Sequence, residues 1–290
     1  MVDRARAAHQ AGLDSLFVGD HHATPVPYYQ NSVILARMLA VWGDRPAGAL
    51  YLLPLWNPVL LAEQVGTLAS VASGRFVLQC ALGAGRAQFA AMGVRVRERV
   101  AAFEEALSVI RRLLAGESVT SERFDIQAAR IAPLPPEPVE VWIGAVAEVA
   151  IDRTARLGDG WLGAPQLVPE AAREAADLYR ERCAACGRSP SAVAIRRDVY
   201  VGESDAEAHA TAGPIVDAGY RGFARAALIV GGRDTVEERL RELDGMGYTD
   251  VIVRNLVTDQ AKALACIERL GEVRGRLADD INIADVPQLG

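Results

Sequence analysis

The sequence is short of several things that would have given it away. Its 290 residues include four cysteines and four histidines, and aromatic residues make up 6%. Cys80, Cys183, Cys186 and Cys266 are too few and too scattered to form a disulfide scaffold. Cys183 and Cys186 make a lone CxxC in "YRERCAACGR", with neither a second pair for zinc nor the strand–helix setting of a redox motif, so they read as ordinary reduced thiols. No apolar run approaches a membrane span, and the opening "MVDRARAAHQAG" is charged and amphipathic rather than signal-like. Long basic blocks are also missing: the net charge is −6 with both signs interspersed, which argues against nucleic acid or an anionic membrane as the main partner. A soluble, cytoplasmic protein is the expectation. Lys262 is the sole lysine, and this excess of arginine, together with abundant alanine, points to a GC-rich, actinobacterial-type genome rather than to a physical requirement.

What the chain does have is alternation. Apolar, β-branched runs fall at 15–19 ("SLFVG"), 46–53, 75–82, 139–145, 160–164, 194–201 and 250–256. Between them, segments 57–73, 99–116, 147–158, 169–187 and 234–247 carry apolar residues at the i, i+3, i+4, i+7 spacing of an amphipathic helix. Gly116, Gly158, Gly187 and Gly247 stand where left-handed C-caps belong, and Asp234 or Thr235 is placed to cap the last helix. Strand–helix alternation implies parallel strands with right-handed crossovers, in an open doubly wound sheet or a closed (β/α)8 barrel. No GxGxxG follows the first strand, and "GAGRAQ" at 83–88 lacks a third glycine, so the barrel is favoured, as one domain over 1–290. Seven strands are visible, and a helix with no strand before it opens the chain.

In such folds chemistry collects at the C-terminal ends of strands. Asp20, His21 and His22 end the first run, Gly83 and Gly85 follow the third, Gly144, Ala145 and Val146 follow the fourth, and Trp161 lies on the next. A metal held by Asp20, His21 and His22 is disfavoured, because adjacent strand residues point to opposite sides and no HxH or HExxH spacing supplies further ligands. An acid/base role for histidine beside aspartate remains open against plain loop capping. The glycines suit either close approach to a phosphate or flat ring, or a tight turn. The same choice applies to a phosphate or a plain capped start at "VGGRDT".

Three segments, "AGLDSLFVGDHH", "GALYLLPLWNPVLLAEQVGTLASVASGRFVLQCALGAGRAQFAAMG" and "VEVWIGAVAEVAIDRTARLGDGWL", together resemble the bacterial luciferase-like monooxygenase superfamily, with "GDHH" closer to its coenzyme F420-dependent branch. The resemblance implies a (β/α)8 barrel whose first strand is missing from this chain. It also implies an oxidoreductase that transfers a hydride between F420 and a small organic substrate. An FMN-dependent monooxygenase working with a separate reductase is the alternative within the same fold. A vestigial or non-catalytic cofactor-binding barrel and a metal hydrolase are readings of other classes. Carried over by position, Asp20 and His21 are the cofactor-facing, catalytic pair, and Leu50–Tyr51 is a bulge with a non-prolyl cis peptide behind the ring. Gly83 and Gly85 lie beside the ring, while Gly144, Ala145 and Val146 hold the phosphate, although relatives have extra glycine near Val146. His22, Tyr28, Tyr29, Trp56 and Trp161 are candidates for the substrate side. The resemblance further implies a homodimer.

Overall fold

The computed structural model describes residues 1–284, with side chains described through residue 278. Helix α1 (Val2–Gln10) comes first, then β1 (Leu16–Val18), α2 (Asn31–Leu39), β2 (Ala47–Leu52), α3 (Pro58–Val71), β3 (Phe76–Ala81), α4 (Arg86–Ala91) and α5 (Arg99–Leu114). A hairpin of β4 (Val119–Ser121) and β5 (Ile126–Ala129) precedes β6 (Glu140–Gly144), α6 (Glu148–Leu157), β7 (Gly160–Gly163), α7 (Pro169–Ala185) and β8 (Ala192–Val201). The chain continues through α8 (Asp205–Asp217), β9 (Ile229–Gly231), α9 (Arg233–Asp244), β10 (Asp250–Asn255) and α10 (Gln260–Ala284). It divides into two compact units, Ser15–Gly144 and Met1–Asp14 with Ala145–Gly290.

In the 15–144 unit, β1 pairs with β2, β2 with β3 and β3 with β6, all parallel. Cα partners in a parallel ladder send their side chains to one side, so Phe17, Gly48, Leu50, Gln79 and Trp142 share a face. The Phe17 and Trp142 rings meet across it with centroids 5.5 Å apart. Gly48 makes room for this: a Cβ there would lie 2.6 Å from the Phe17 ring and 2.3 Å from the Val77 carbonyl oxygen. The "NP" of the sequence is the start of α3. The Asn57 carboxamide oxygen accepts from Val59 N at 2.9 Å and Leu60 N at 3.1 Å, and Pro58 takes the first helical position, where no N–H is needed.

In the other unit the ten-residue β8 is the spine. It pairs with β7 through Ala192–Ile195, with β10 through Ala194–Val199 and with β9 through Val199–Val201. Trp161 is wholly buried there, donating from Nε1 to Ala145 O at 3.0 Å and packing on Tyr179 and Tyr248.

The seven strands read from the sequence are all present, and β9 is an eighth parallel strand that sequence reading absorbed into a helix start. Gly116, Gly187 and Gly247 have the expected positive φ, but Gly158, at φ −91° and ψ 159°, is extended. The α9 cap also differs. Asp234 is drawn outward to Arg276, and Asp205 Oδ1 accepts from Gly232 N at 2.6 Å at that helix start, so the protein's own carboxylate takes the place weighed for a phosphate.

Gly48→Ala should lower stability by about 1–3 kcal/mol, because the added methyl meets backbone rather than a movable side chain. Urea unfolding of wild type and variant checks this, and an unchanged midpoint would contradict the face described.

Candidate functional site

The Asp20 carboxylate follows β1 and is 1% exposed. A buried carboxylate needs donors, and three converge on it. Its Oδ2 accepts from Leu52 N at 2.8 Å and from Trp56 Nε1 at 2.9 Å, and His22 Nε2 lies 3.1 Å from Oδ1. In the irregular segment that follows β1, His22 is buried against Asp20 and His21 is exposed. The resemblance names Asp20 and His21 as the pair facing the cofactor, and in the structure the side-chain partner of Asp20 is the buried His22. An ionised Asp20 can only accept, which places the His22 proton on Nε2. His22 is also held at its backbone, whose N–H donates to Gln88 Oε1 at 2.9 Å. His21 is exposed, with its ring edge-on to Tyr28 at 5.6 Å.

Trp56 continues the wall, edge-on to His22 at 5.3 Å and to Tyr51 at 5.3 Å. Behind it, Ser32 Oγ donates to Gln64 Oε1 at 2.5 Å, which spends its one proton, so the Tyr51 hydroxyl donates to Ser32 Oγ at 2.8 Å. Burial pushes the Tyr51 hydroxyl far above its ordinary value of 10.0. The Leu50 carbonyl accepts from Asn31 Nδ2 at 2.7 Å. The Leu50–Tyr51 peptide is trans, correcting the cis bulge implied by resemblance: among the described residues the cis bond is Ala132–Pro133. The physical reason is the unbroken ladder, in which Leu50 and Tyr51 pair in register with Gln79 and Cys80.

Gly83 and Gly85 leave β3 with φ of 73° and 94°, conformations that favour glycine. A Cβ on Gly83 would touch Phe89 and Leu52, while one on Gly85 would meet open space. Gly144 ends β6 and is partly exposed, Ala145 is buried, and Val146 is exposed just before α6. Of the substrate-side candidates, Tyr28 and Tyr29 are exposed and Trp56 is partly exposed, whereas Trp161 is a core residue, not a lining one. Sequence reading missed Gln88, Asn31, Ser32 and Gln64. Each is a polar residue on a helix, and only their tertiary partners reveal their roles. Among the described residues there is no cluster of three or more His, Cys, Asp or Glu suited to a metal ion, and no helix is long and apolar enough to cross a membrane.

A family profile described as luciferase-like monooxygenase matches residues 1–279. The chain belongs to that family. A curated F420-dependent glucose-6-phosphate dehydrogenase from Intrasporangium calvum is 30% identical over 177 residues, covering 56% of this chain and 52% of that protein. The match thus spans about half of this relative's length. Among solved structures, the oxygenating constituent of 3,6-diketocamphane monooxygenase from Pseudomonas putida, in complex with FMN, superposes with a TM-score of 0.78. It is 17% identical and covers 93% of this chain and 91% of its own. An F420-dependent secondary alcohol dehydrogenase, in complex with an F420-acetone adduct, gives a TM-score of 0.78 at 16% identity, covering 94% and 93%. The fold is therefore α/β with parallel strands, of the luciferase-like TIM-barrel type.

Asp20→Asn turns one acceptor into a donor facing donors, and should cost about 1–3 kcal/mol in urea unfolding. A neutral effect would contradict the convergence on Asp20. For Tyr51 the folded chain keeps a proton that the unfolded chain releases near pH 10, so above that pH stability falls. The fall should be shallower in Tyr51→Phe, as read from unfolding midpoints at pH 9 to about 11. Parallel pH profiles would refute this.

Proposed function

We propose that this protein is a coenzyme F420-dependent oxidoreductase, moving a hydride between the deazaflavin and a small organic substrate. The observation that carries the reading is the division of labour at the end of β1, where Asp20 and His22 are locked together and His21 stands exposed beside them. The residues present fit a flat cofactor: Gly85 leaves space where a side chain would stand, and Leu50, Leu52 and Trp56 offer apolar and aromatic surface. When bound, the deazaflavin supplies the hydride chemistry.

The protein's own part is positioning. Asp20 fixes the His22 ring, Trp56 buttresses it, and the Leu50–Tyr51 segment, held by Asn31, backs the site. His21 holds or releases the proton that accompanies hydride movement, since its imidazole is the exposed titratable group of the trio. Gly83 and Gly85 flank the ring. Gly144, Ala145 and Val146 lead into α6, whose first amide groups have no intrahelical partners and suit a phosphate. Tyr28 and Trp56 are the substrate-side residues. The relative named for F420-dependent glucose-6-phosphate dehydrogenase supports this cofactor. A second reading, an FMN monooxygenase with a separate reductase, draws support from the FMN-bound neighbour of the same fold.

Titration of the purified protein with oxidised and reduced F420 and FMN tests the proposal. Saturable F420 binding, with affinity retained in His21→Ala and turnover reduced on the order of a hundredfold or more, is expected. Binding of reduced FMN alone, with oxygen consumption, would favour the second reading and overturn the first.

A further inference from the structure

The 145–290 unit carries an arrangement of charge that the family chemistry above does not use. Asp198 on β8 is wholly buried and binds the Arg196 guanidinium through both oxygens, at 2.9 and 3.3 Å. The Tyr220 hydroxyl donates to the same carboxylate at 2.8 Å. Arg254 on β10 is the ladder partner of Asp198, so its side chain leaves the sheet on the same side, one residue before the strand's C-terminal end. Arg221 follows Tyr220 in a turn at φ 51°, a left-handed conformation that persists in a non-glycine residue only where its surroundings enforce it. Its guanidinium lies 5.7 Å from the Phe223 ring centre.

Three guanidiniums thus gather around one carboxylate, which Arg196 and Tyr220 already occupy. Among the described residues, Arg221 and Arg254 have no carboxylate partner, and both are exposed. Burial lowers the proton affinity of the Arg196 guanidinium, Asp198 opposes this, and the nearby Arg254 and Arg221 lower it further. Like charges held this close repel unless an anion joins them. The Arg196–Asp198 pair is held by two charge-assisted hydrogen bonds, while Arg221 and Arg254 are exposed.

We propose that Arg196, Arg221 and Arg254 form an oxyanion-binding site, with Asp198 and Tyr220 as its positioning residues, that takes a phosphate or comparable anionic group. The group belongs either to the substrate or to the cofactor's phosphodiester, and to that extent the inference rests on the reading given under Proposed function. The site itself does not depend on it.

Calorimetric titration of the cofactor-free protein with inorganic phosphate at low chloride tests the site. The expected result is saturable binding, weakened about tenfold or more in Arg254→Gln and in Arg221→Gln, the scale of one lost charge-assisted hydrogen bond. Arg173→Gln, on the exposed side of α7, should bind as wild type does. No saturable binding in wild type, or equal loss in all three variants, overturns the proposal. Both informative variants alter exposed side chains, and thermal melts confirm that they fold. A second arm repeats the F420 titration. If Arg254→Gln weakens F420 and phosphate competes with it, the anion is the cofactor's phosphodiester. Unchanged F420 affinity with phosphate still bound assigns it to the substrate. Failure of F420 to bind wild type would sink the cofactor reading while leaving the phosphate result intact.

Discussion

A carboxylate removed from water must be surrounded by donors, and Asp20 meets this requirement with groups from separate parts of the 15–144 unit. The Leu52 amide ties it to β2, the Trp56 indole to the turn before α3, and the His22 imidazole to its own loop. Through Trp56 the constraint passes by ring contact to Tyr51, and from Tyr51 through Ser32 to Gln64, joining β1, β2, α2 and α3. With these groups fixed, His21 is the histidine of "GDHH" that stays exposed.

The same logic recurs in the other unit. Asp198, also buried, gathers Arg196 and Tyr220, while Arg254 on the neighbouring strand stays exposed. In each unit a carboxylate near the C-terminal end of a strand holds its nearest partners and leaves a further polar group exposed. Held groups are fixed in orientation, while the exposed ones stay open to solvent.

How much of this was legible in the sequence depended on how local the cause was. The "NP" start of α3 was readable because Asn57 and Pro58 act within one turn. The glycine ends at Gly116, Gly187 and Gly247 were readable for the same reason, and Gly158 misled because its glycine serves an extended exit. Strand β9 escaped because three residues, Ile229–Gly231, carry too little periodicity to separate from the helix that follows. The Asp20–His22 pairing was not legible, because both residues lie in the irregular segment after β1, where no strand period applies. The trans Leu50–Tyr51 peptide and the burial of Trp161 were not, because ladder register and core packing decide them. Nor was the arginine cluster, whose members come from β8, β10 and a turn at 220–222.

The central claim is that Asp20 and His22 form the fixed part of the site and His21, with the Gly83 and Gly85 turn, its open part. A crystal structure of the protein soaked with F420 tests this most directly. The account predicts a deazaflavin ring against His21, Leu50 and Gly85, with the Asp20–His22 hydrogen bond retained. A ring bound elsewhere, or Asp20 turned from His22 to His21, would contradict it.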